Sequence, residues 1–506
     1  MWARVMNANM ASLMPPIVAA WCEQAGHTVD FFVYTGFEDL QAALPASPDL
    51  VFISSFTRSA QLAYAVSELY RRRGAVTALG GPHARCYPDD AVKYFDYVFG
   101  FTDRALVLDV LKDCAPHRPV GVQASAAGHP TELPLLAERW KFIEATVAKA
   151  PLLKLVPMAA SLGCPYTCSF CIDADVAYRP LAYDRLRDDL RFLRAKMKRP
   201  VVGWHDPNFG VRFDELMDAI EDAVPPGSVE QIAESSLSLL AEPRLKRLKK
   251  NGFKAILPGI ESWYEMGDKS RTGRDIGEQK VRRVADHVNL IARYIPYIQV
   301  NFVLGLDSDA GAEPFELTKR FLDRCPVAFP AYSLLTAFGQ AAPLNLTLQR
   351  EGRVLPFPFH FLDNNHAMNV RPKHYAWPEF YDRLIDLSKF SFSGRAIRRR
   401  FLARQPLIAR SMNVIRATSS EGWGRIEYHS TIRSLLDADR DVRRFIEGET
   451  TEIPEFYAAR VRRKLGPFWP YLPLGALRHD PNAYLNKQSA APLIARAPAR
   501  GRLPAS

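Results

Sequence analysis

The chain of 506 residues lacks several features that mark common classes of protein. It has no run of about 18 apolar residues free of charge, so a membrane span is not expected. Its cysteines number only seven, an odd count in a long chain, which argues against a disulfide framework and for a reducing cytoplasm. Its first ten residues are too weakly apolar for a secretory signal. With hydrophobic residues at 48% and charged residues at 24%, the sequence predicts a cytoplasmic globular protein of about three domains.

Acidic residues are outnumbered by basic ones, which gives a formal net charge of +11. The basic excess is concentrated late in the chain, at Arg398–Arg400, Arg404, Arg410, Arg416, Arg460, Arg462 and Arg463. One interpretation is attraction to an anionic substrate or lipid, and hence a peripheral membrane contact. The other is a set of solvated helix faces, which is the commoner arrangement. No nucleic-acid-binding module is visible, so nucleic acid is not an expected partner.

The first 115 residues alternate between strand and helix signals. Strands are predicted at Val29–Tyr34, Asp49–Ser54, Val76–Leu79 and Tyr97–Phe99, and helices at Gln61–Arg73 and Ala105–Lys112. A still earlier strand is expected before the segment Asn7–Ser12. This alternation predicts a Rossmann-like, doubly wound α/β domain with its ligand crevice at the carboxyl ends of the strands.

Residues 116–150 are rich in Ala, Gly, Pro and His at their start and are predicted to be a linker. Residues 151–345 resume the alternation. Strands are predicted at Val201–Trp204, Gln231–Ala233, Ala255–Pro258, Ile298–Leu304 and Ala331–Leu335, with helices at Asp214–Ala223, Pro243–Asn251 and Gln279–Ala292. Repeated β/α units of this length predict a full or partial (β/α) barrel of the TIM type. Residues 346–506 are predicted to form an aromatic and basic, mainly helical region.

Three cysteines fall within eight residues, in the stretch S-L-G-C-P-Y-T-C-S-F-C from Ser161 to Cys171. Thiolates at this spacing bind soft metals. A structural zinc site needs four ligands, and no further His or Cys follows within several residues. A 4Fe–4S cluster held by three cysteines keeps one iron open for a small molecule, which is a catalytic arrangement. A zinc or redox cysteine cluster on an unrelated fold is the alternative.

The segment C-P-Y-T-C-S-F-C resembles the signature C-x-x-x-C-x-aromatic-C of the radical S-adenosylmethionine (radical SAM) superfamily, with Phe170 as the aromatic residue. The resemblance implies that Cys164, Cys168 and Cys171 hold a 4Fe–4S cluster whose open iron chelates the amino and carboxylate groups of SAM. In that family, reduction of the sulfonium releases a 5′-deoxyadenosyl radical. A flavodoxin- or ferredoxin-type electron donor is implied as a partner.

Three downstream stretches resemble the same family in the same order. They are W-H-D-P-N-F (Trp204–Phe209), I-L-P-G-I-E-S (Ile256–Ser262) and N-F-V-L-G-L-D-S-D (Asn301–Asp309). The second implies that Glu261 contacts the cofactor ribose, with Ser262 beside it. His205 and Asp206 are expected at a strand end, either facing the site or bonded to a neighbouring loop. The chain departs from the family pattern at Leu162 (often Arg), at Asp307 (usually Pro) and at Phe338–Leu344.

The N-terminal domain resembles the cobalamin-binding domain of one branch of this superfamily. The resemblance rests on L-G-G-P-H-A (Leu79–Ala84), F-D-Y-V-F-G (Phe95–Gly100) and the polar group Ser54, Ser55 and Thr57. It implies that Gly80, Gly81, Ser54 and Thr57 border the cofactor and that His83 forms part of the pocket wall rather than binding metal. The family's D-x-H-x-x-G motif is absent, since Asn7–Ser12 stands in its place without a histidine. Bound cobalamin and an empty Rossmann-like domain both remain open.

These resemblances imply an enzyme that acts on a small-molecule substrate. The adenosyl radical would take hydrogen from an unactivated carbon, and cobalamin would deliver a methyl group to that carbon. The alternative within the same chemistry is a cobalamin-independent radical oxidoreductase or rearrangement enzyme. A non-catalytic sensor that binds cobalamin or the cluster is the alternative of another class. The phenol of Tyr332 is expected either at the substrate or, more commonly, in the core.

Overall fold

The computed structural model describes residues 12–116, 121–150, 153–403, 406–483 and 485. The predicted first strand, most of the segment Asn7–Ser12 and Arg404 lie outside these ranges. Within them, no helix is both long enough and apolar enough to cross a bilayer.

The N-terminal region is built on a four-stranded parallel sheet. Its elements are α1 (Met14–Gln24), α2 (Leu40–Ala43), β1 (Leu50–Ser54), α3 (Ala60–Arg72), β2 (Val76–Gly80), α4 (Pro82–Cys86), α5 (Pro88–Ala91), β3 (Tyr97–Phe99), α6 (Arg104–Asp113) and β4 (Val122–Ala124). The strands lie in the order β1-β2-β3-β4. Short apolar strands joined by amphipathic helices form this layout because each helix covers a face of the sheet. The Rossmann-like α/β fold expected from the sequence is confirmed.

The strand predicted at Val29–Tyr34 is wrong, since the structure gives this segment no strand pairing within the described residues. The segment packs through its side chains instead. The ring of Phe31 lies 5.2 Å from that of Phe142, and the ammonium of Lys149 lies over Phe32. The apolar alternation therefore reflects packing against a helix and not pairing in a sheet.

The stretch predicted as a linker contains two regular elements. Strand β4 extends the sheet through its pairing with β3, and α7 (Leu136–Val147) follows. Trp140, Phe142 and Ile143 give α7 its buried face. Three residues of modest β propensity are enough for β4 because the neighbouring strand supplies the hydrogen bonds.

The central region forms a partial barrel of parallel strands. Its elements are β5 (Leu155–Met158), β6 (Ser161–Leu162), β7 (Arg179–Pro180), α8 (Tyr183–Lys196), β8 (Val201–Trp204), α9 (Phe213–Ala223), β9 (Glu230–Glu234), α10 (Glu242–Lys250), β10 (Phe253–Leu257), β11 (Gly259–Glu261), α11 (Gly267–Ser270), α12 (Gly277–Ile291), β12 (Tyr297–Leu304), α13 (Glu313–Arg324) and β13 (Ala328–Leu334). The strand order is β5-β8-β9-β10-β12-β13, with β11 continuing β10 beyond Pro258. No pairing joins β5 to β13 in the described residues, so the barrel is not closed.

Alternate residues of the barrel strands are buried against the helices. In β12, Ile298, Val300 and Phe302 are almost fully buried, whereas Gln299 and Asn301 face the lumen and are half-buried. A side-chain period of two separates the two faces of a strand. Most closed TIM barrels are filled by layers of branched apolar side chains. Here the alternate positions Gln299 and Asn301 carry polar, partly accessible side chains instead.

The C-terminal region is mainly helical, as predicted. It contains α14 (Pro343–Arg350), α15 (Trp377–Ser391), α16 (Gly394–Leu402), α17 (Leu407–Ala417), α18 (Trp423–Ala438), α19 (Arg440–Ile446) and α20 (Glu455–Leu465). The aromatic stretch Pro356–Phe361 packs inward, with Phe357, Phe359 and Phe361 all buried. Part of the basic charge is also turned inward. Arg416 donates to the Tyr297 hydroxyl at 2.7 Å and stacks over Phe329 at the amino-terminal end of the barrel.

Candidate active site at the mouth of the barrel

The cysteine loop leaves the first barrel strand and is held by backbone geometry. Gly163 has φ +73°, and a Cβ there would lie 2.2 Å from the Ala177 carbonyl oxygen. The Cys164 amide donates to the Val176 carbonyl at 3.1 Å, and the Cys171 amide donates to the Cys168 carbonyl at 2.9 Å. The glycine before the first cysteine is therefore required by a close backbone approach, which the sequence motif alone does not reveal.

Asp206 fixes the start of this loop. Its buried carboxylate accepts from the Ala160 amide at 3.0 Å and from the Ser161 hydroxyl at 2.5 Å. Burial raises the pKa of Asp206 to about 6, although these hydrogen bonds oppose the shift. His205, also expected at this strand end, is neutral because burial lowers its pKa, and its Nε2 atom has no hydrogen-bond partner among the described residues. Asp206 thus fixes the backbone at Ala160 and Ser161, just before the cysteine loop.

The three thiols of the loop share one cationic neighbour. Burial raises the pKa of each thiol, to about 11 for Cys171, and the ammonium of Lys269 opposes this shift at Cys164, Cys168 and Cys171. Within the described ranges, no three His, Cys, Asp or Glu side chains converge on a single metal ion. A cubic cluster does not need such convergence, since each cysteine binds a different iron. The donor set of three soft ligands near a cation therefore fits a 4Fe–4S cluster with one open iron.

Lys269 joins the thiols to Glu261 across the mouth. Its Nζ atom lies 2.5 Å from Glu261 Oε1, and both side chains are largely buried. Burial is the largest effect and would lower the pKa of Lys269, but the charge and hydrogen bond of Glu261 together with the charges of Cys168 and Cys171 raise it. Glu261 has φ 65°, a left-handed conformation that a non-glycine residue adopts only when its surroundings impose it. The end of β11 is therefore strained in the way that ligand-binding segments often are.

Ser262 is held on the other side of this strand end. Its hydroxyl donates to Asp309 Oδ1 at 3.0 Å, and its carbonyl accepts from the buried Lys280 ammonium at 2.6 Å. Burial lowers the pKa of Lys280 to about 8 and raises that of Asp309 to about 7. Three of the stretches singled out in the sequence are thereby brought together: the cysteine loop, the strand that ends at Ser262, and the strand that leads to Asp309.

The departure at Asp307 has a structural partner. Its carboxylate receives two hydrogen bonds from Arg353, at 2.7 and 2.8 Å. Asp307 stands where the radical SAM pattern usually has proline. Its planar pairing with Arg353 ties the loop after β12 to the C-terminal region.

Glu234 is a polar residue of the mouth that the sequence analysis did not single out. It ends β9 with a solvent-exposed side chain. Protein atoms nevertheless surround its carboxylate at this end of the strands. Burial by this enclosure raises its pKa, the charge of Lys269 lowers it and that of Glu261 raises it. Among the described residues, no hydrogen bond or ion pair engages this carboxylate. By register, Leu257 of the neighbouring strand stands beside it.

The carboxyl edge of the N-terminal sheet carries the other predicted residues. Ser54 is exposed at the end of β1, and Gly80 has open space where a Cβ would be. Gly81 has φ +86°, and a Cβ there would lie 2.8 Å from Ser54 Oγ. Thr57 is buried and hydrogen-bonds the Cys86 thiol rather than facing the edge. A smooth surface beside two glycines fits the approach of a large planar ligand, and Thr57 is not part of that surface.

His83 lies beneath this edge and is fully buried. Its Nε2 atom lies 2.7 Å from the Tyr64 hydroxyl, which itself donates to Asp90 at 2.8 Å. The ring contacts Phe359 edge-on at 4.7 Å. Burial, with a smaller effect from His479, lowers the pKa of His83 to about 3. In this conformation the imidazole is not available to a metal and does not line an open pocket, which differs from the predicted place in a pocket wall.

Four hydrogen bonds join the two candidate sites. Arg85, just after Gly80 and Gly81 in the chain, donates to Asp173 at 3.0 Å and to the Ile172 carbonyl at 2.8 Å. The Gln340 amide donates to the Cys86 carbonyl at 2.9 Å, and the Leu344 amide donates to the Ser169 carbonyl at 2.9 Å. The unusual segment Phe338–Leu344 is thus a bridge between the sheet edge and the cysteine loop.

The remaining predicted residues are placed as follows. Phe170 is partly buried against the core beside the cysteines. Tyr332 faces the helices, where its hydroxyl lies 2.6 Å from that of Ser391, so it is not at the mouth. Arg85, Lys269 and Glu234 were missed. A lone charged residue in a loop or at a strand end gives no sequence signal, because only the fold shows which charges it meets.

Comparisons with known proteins agree with this layout. No protein-family model matches the chain. It is 24% identical over 358 residues to a bacteriochlorophyllide d C-12(1)-methyltransferase of Chlorobaculum tepidum, which covers 70% of this chain and 76% of that protein. It is 26% identical over 386 residues to a hopanoid C-2 methylase of Rhodopseudomonas palustris, which covers 72% of this chain and 68% of that protein.

Two solved structures share the fold. One is the radical SAM methyltransferase TsrM from Kitasatospora setae, with tryptophan and a SAM analogue bound; its TM-score is 0.58 at 14% identity, over 86% of this chain and 98% of that one. The other is the cobalamin-dependent radical SAM enzyme OxsB, with aquacobalamin and SAM bound; its TM-score is 0.51 at 14% identity, over 91% of this chain and 81% of that one. These two likenesses show that the chain shares the fold of these structures, and its cysteine signature is similar to that of radical SAM enzymes.

Proposed function

We propose that this protein is a cobalamin-dependent radical SAM enzyme that methylates an unactivated carbon of a small molecule. The observation that carries the proposal is the placement of a three-cysteine loop, an enclosed Lys269–Glu261 pair and the exposed Glu234 at one barrel mouth, joined by Arg85 to the edge of a second parallel sheet. The curated relatives named above are methyltransferases and the structural neighbours bind SAM, which supports the same reading.

Cys164, Cys168 and Cys171 are proposed to hold a 4Fe–4S cluster. When bound, the cluster supplies the electron that cleaves SAM to methionine and a 5′-deoxyadenosyl radical. Thiolates are needed for this ligation, whereas burial favours the protonated thiols. Lys269 offsets that penalty because its charge reaches all three sulfurs. Its proposed role is to lower the free-energy cost of deprotonating the three thiols in an enclosed site.

Glu261 is proposed to bind the ribose hydroxyls of SAM, with Ser262 positioning the strand end. Lys269 occupies one oxygen of Glu261, so the carboxylate is already oriented toward the mouth when SAM arrives. Its left-handed backbone conformation points the side chain out of the regular strand direction. Orientation in advance lowers the entropy cost of binding the cofactor.

Cobalamin is proposed to lie at the carboxyl edge of the N-terminal sheet, against Ser54, Gly80 and Gly81. When bound, it supplies a carrier for the methyl group. The protein contributes a surface without side chains at the glycines and the link from Arg85 to the cysteine loop. His83, with Nε2 engaged by Tyr64, would not hold the cobalt in this conformation.

The small-molecule substrate is proposed to enter the lumen, where Glu234, Gln299 and Asn301 offer polar contacts. The electron donor, of flavodoxin or ferredoxin type, is proposed to reach the cysteine loop. We also propose that the basic C-terminal region makes peripheral contact with an anionic membrane. The proposed location of the protein is the cytoplasm.

The decisive experiment uses anaerobically reconstituted protein with SAM, a strong reductant and hydroxocobalamin. We expect 5′-deoxyadenosine, together with S-adenosylhomocysteine that forms only when cobalamin is present. A matched sample without cobalamin should form 5′-deoxyadenosine alone. Absence of both products would contradict the enzyme assignment and favour a sensor.

One observation favours a second candidate, the cobalamin-independent radical enzyme. Thr57 and His83, both expected at the cofactor, are buried and engaged by other residues. If the N-terminal domain is empty, 5′-deoxyadenosine should form at the same rate with and without cobalamin, and no S-adenosylhomocysteine should appear.

A further inference from the structure

The hairpin of α16 and α17 presents apolar side chains to solvent at its tip. Leu402 is 62% exposed, Leu407 67% and Ile408 82%, and Phe401 is exposed as well. These four residues end one helix and begin the next, and the two helices pack against each other. Exposed apolar clusters of this kind usually mark a surface that meets a partner or a membrane.

The same hairpin is strongly basic. From Leu387 to Ser420 the chain has eight basic residues and no acidic one. Arg395 and Arg398 are exposed, and no ion pair engages either of them in the described part of the chain. Apolar side chains flanked by arginines are the composition of helices that lie in an anionic lipid interface.

A pocket of about 160 Å³ opens along the amino-terminal part of α16, on the same helix whose other end carries Phe401 and Leu402. Arg395, Arg399 and Arg400 line it, together with Ser391, Ser393 and the acidic Asp323. Asp323 is engaged by Arg399. Arg400 is 4% exposed; its Nη2 atom donates to the Ser391 carbonyl at 2.6 Å, and its Nε atom has no hydrogen-bond partner among the described residues. A buried guanidinium with a free donor is suited to a phosphoryl oxygen.

We propose that this hairpin docks the protein on an anionic phospholipid bilayer, with the four apolar residues among the acyl chains and a lipid phosphate in the arginine pocket. This deepens the membrane contact proposed above and does not depend on methyl transfer. Cys325, Pro326 and Ala328, which also line the pocket, lie where β13 begins, whereas the cysteine loop follows the opposite end of the strands. Docking by this face leaves the mouth of the barrel free for the electron donor.

The first test is flotation of the reconstituted full chain with vesicles of phosphatidylcholine alone or with about one third phosphatidylglycerol. We expect binding only to the anionic vesicles, because both the arginines and the surface potential are needed. Leu407→Ser with Ile408→Ser should weaken this binding at least tenfold, since two apolar side chains lose their burial in lipid. Leu474→Ser, at an exposed apolar residue outside the hairpin, should not change it.

The second test removes charge. Arg395→Gln with Arg398→Gln should weaken vesicle binding by roughly thirtyfold at low salt, from about 1 kcal/mol for each arginine near the surface. Arg104→Gln with Lys112→Gln removes the same charge from exposed positions of α6 and should have little effect. An equal loss in both double variants would show that net charge, and not this hairpin, drives binding.

The third test isolates the pocket. Titration with soluble dihexanoyl phosphatidylglycerol should show binding that Ala396→Leu abolishes, because the larger side chain fills the pocket and leaves the tip and the charges unchanged. Unchanged binding in this variant would show that the pocket does not bind the lipid phosphate. Binding of inorganic phosphate as tight as that of the lipid would identify a free-phosphate site instead.

The outcomes separate the proposals. If the wild type binds no anionic vesicle even at low salt, both the hairpin and the general membrane contact are wrong. If it binds and the Leu407/Ile408 variant binds equally, only the hairpin is wrong. A wild-type dimer that the same variant converts to a monomer, without vesicle binding, would identify a second copy of the chain as the partner. SAM cleavage in the absence of lipid should be the same in all these variants.

Discussion

The barrel mouth and the edge of the N-terminal sheet are both carboxyl ends of parallel strands, yet they differ in what their side chains already contact. At the mouth, Glu234 has no direct partner among the described residues, and Glu261 and Lys269 form a close ion pair beside it. At the sheet edge, Thr57 and His83 are engaged by the chain itself, and the open surface is made by glycine. Topology fixes where a ligand can bind. The partners of the side chains favour one kind of ligand over another, and we propose a polar cofactor at the mouth and a broad planar one at the edge.

The largest effect should come from the cysteine loop. Replacement of Cys164, Cys168 or Cys171 by Ala is expected to remove the cluster and all formation of 5′-deoxyadenosine, because each thiolate holds a separate iron. Iron content and product analysis after anaerobic reconstitution would measure this. Cys114→Ser is the matched control, since that cysteine is also half-buried but lies at the end of α6. Full product formation by any of the three loop variants would overturn the assignment.

The next effect concerns the charge pair at the mouth. Glu261→Gln is expected to weaken SAM binding tenfold or more, since a charge-assisted hydrogen bond contributes roughly 1.5–3 kcal/mol. Iron content should not change. Isothermal titration with SAM would give the dissociation constant.

The exposed ion pair of Lys254 and Glu230 supplies the control for this experiment. Glu230→Gln should leave SAM affinity unchanged, because a surface pair contributes little and lies at the start of β9 rather than at its end. An unaltered dissociation constant in Glu261→Gln would exclude Glu261 from the cofactor site.

Much of the barrel could be predicted from sequence because its signals are local. Val201–Trp204 was predicted with the observed bounds, since it combines β-branched and aromatic residues with clear limits. Val29–Tyr34 shows a similar pattern but pairs with no described strand. Apolar residues show that a segment is packed, not whether its partner is a sheet or a helix.

The residues of the candidate site also differ in whether a local sequence signal reveals them. The cysteines stand in one short motif, so the sequence shows them directly. Lys269 and Arg85 are recognisable only in three dimensions, because their partners Glu261 and Asp173 are set by the fold. The late arginines were expected mainly on solvated faces. Arg416 is instead partly buried against Phe329, at a place that helical periodicity does not indicate.

A smaller effect should appear in the pH dependence of stability. His479 stacks on Phe359 at 4.3 Å, and neither ring nitrogen has a hydrogen-bond partner among the described residues. Burial, followed by the charge of Lys93, lowers its pKa from 6.5 to about 3. The folded protein therefore keeps it neutral while the unfolded chain protonates it, so stability falls as the pH drops from about 6.5 towards 3. At about pH 5.5 the loss should be about 1.4 kcal/mol for this histidine.

His479→Phe should remove that loss, because a phenyl ring keeps the stacking and cannot take a proton. Denaturant unfolding at pH 7.5 and 5.5 would show a smaller difference than in the wild type. His27→Gln, at an exposed histidine, should leave the difference unchanged. An undiminished pH dependence in His479→Phe would mean that the ring is accessible to solvent in the folded protein.

The smallest effect is expected at His83, and it bears directly on the comparison of the two sites. If cobalamin binds at the sheet edge while His83 stays beneath it, with Nε2 engaged by Tyr64, the cobalt has no imidazole from this residue. The paramagnetic spectrum of the reduced cofactor should then lack nitrogen coupling. His83→Gln should leave it unchanged, since the amide can still meet the Tyr64 hydroxyl. Coupling that disappears in His83→Gln would show that the buried histidine moves to the metal. Coupling that survives this change and disappears in His129→Gln would assign the ligand to His129, which packs edge-on against Phe101 at 4.8 Å, just beyond the carboxyl ends of β3 and β4.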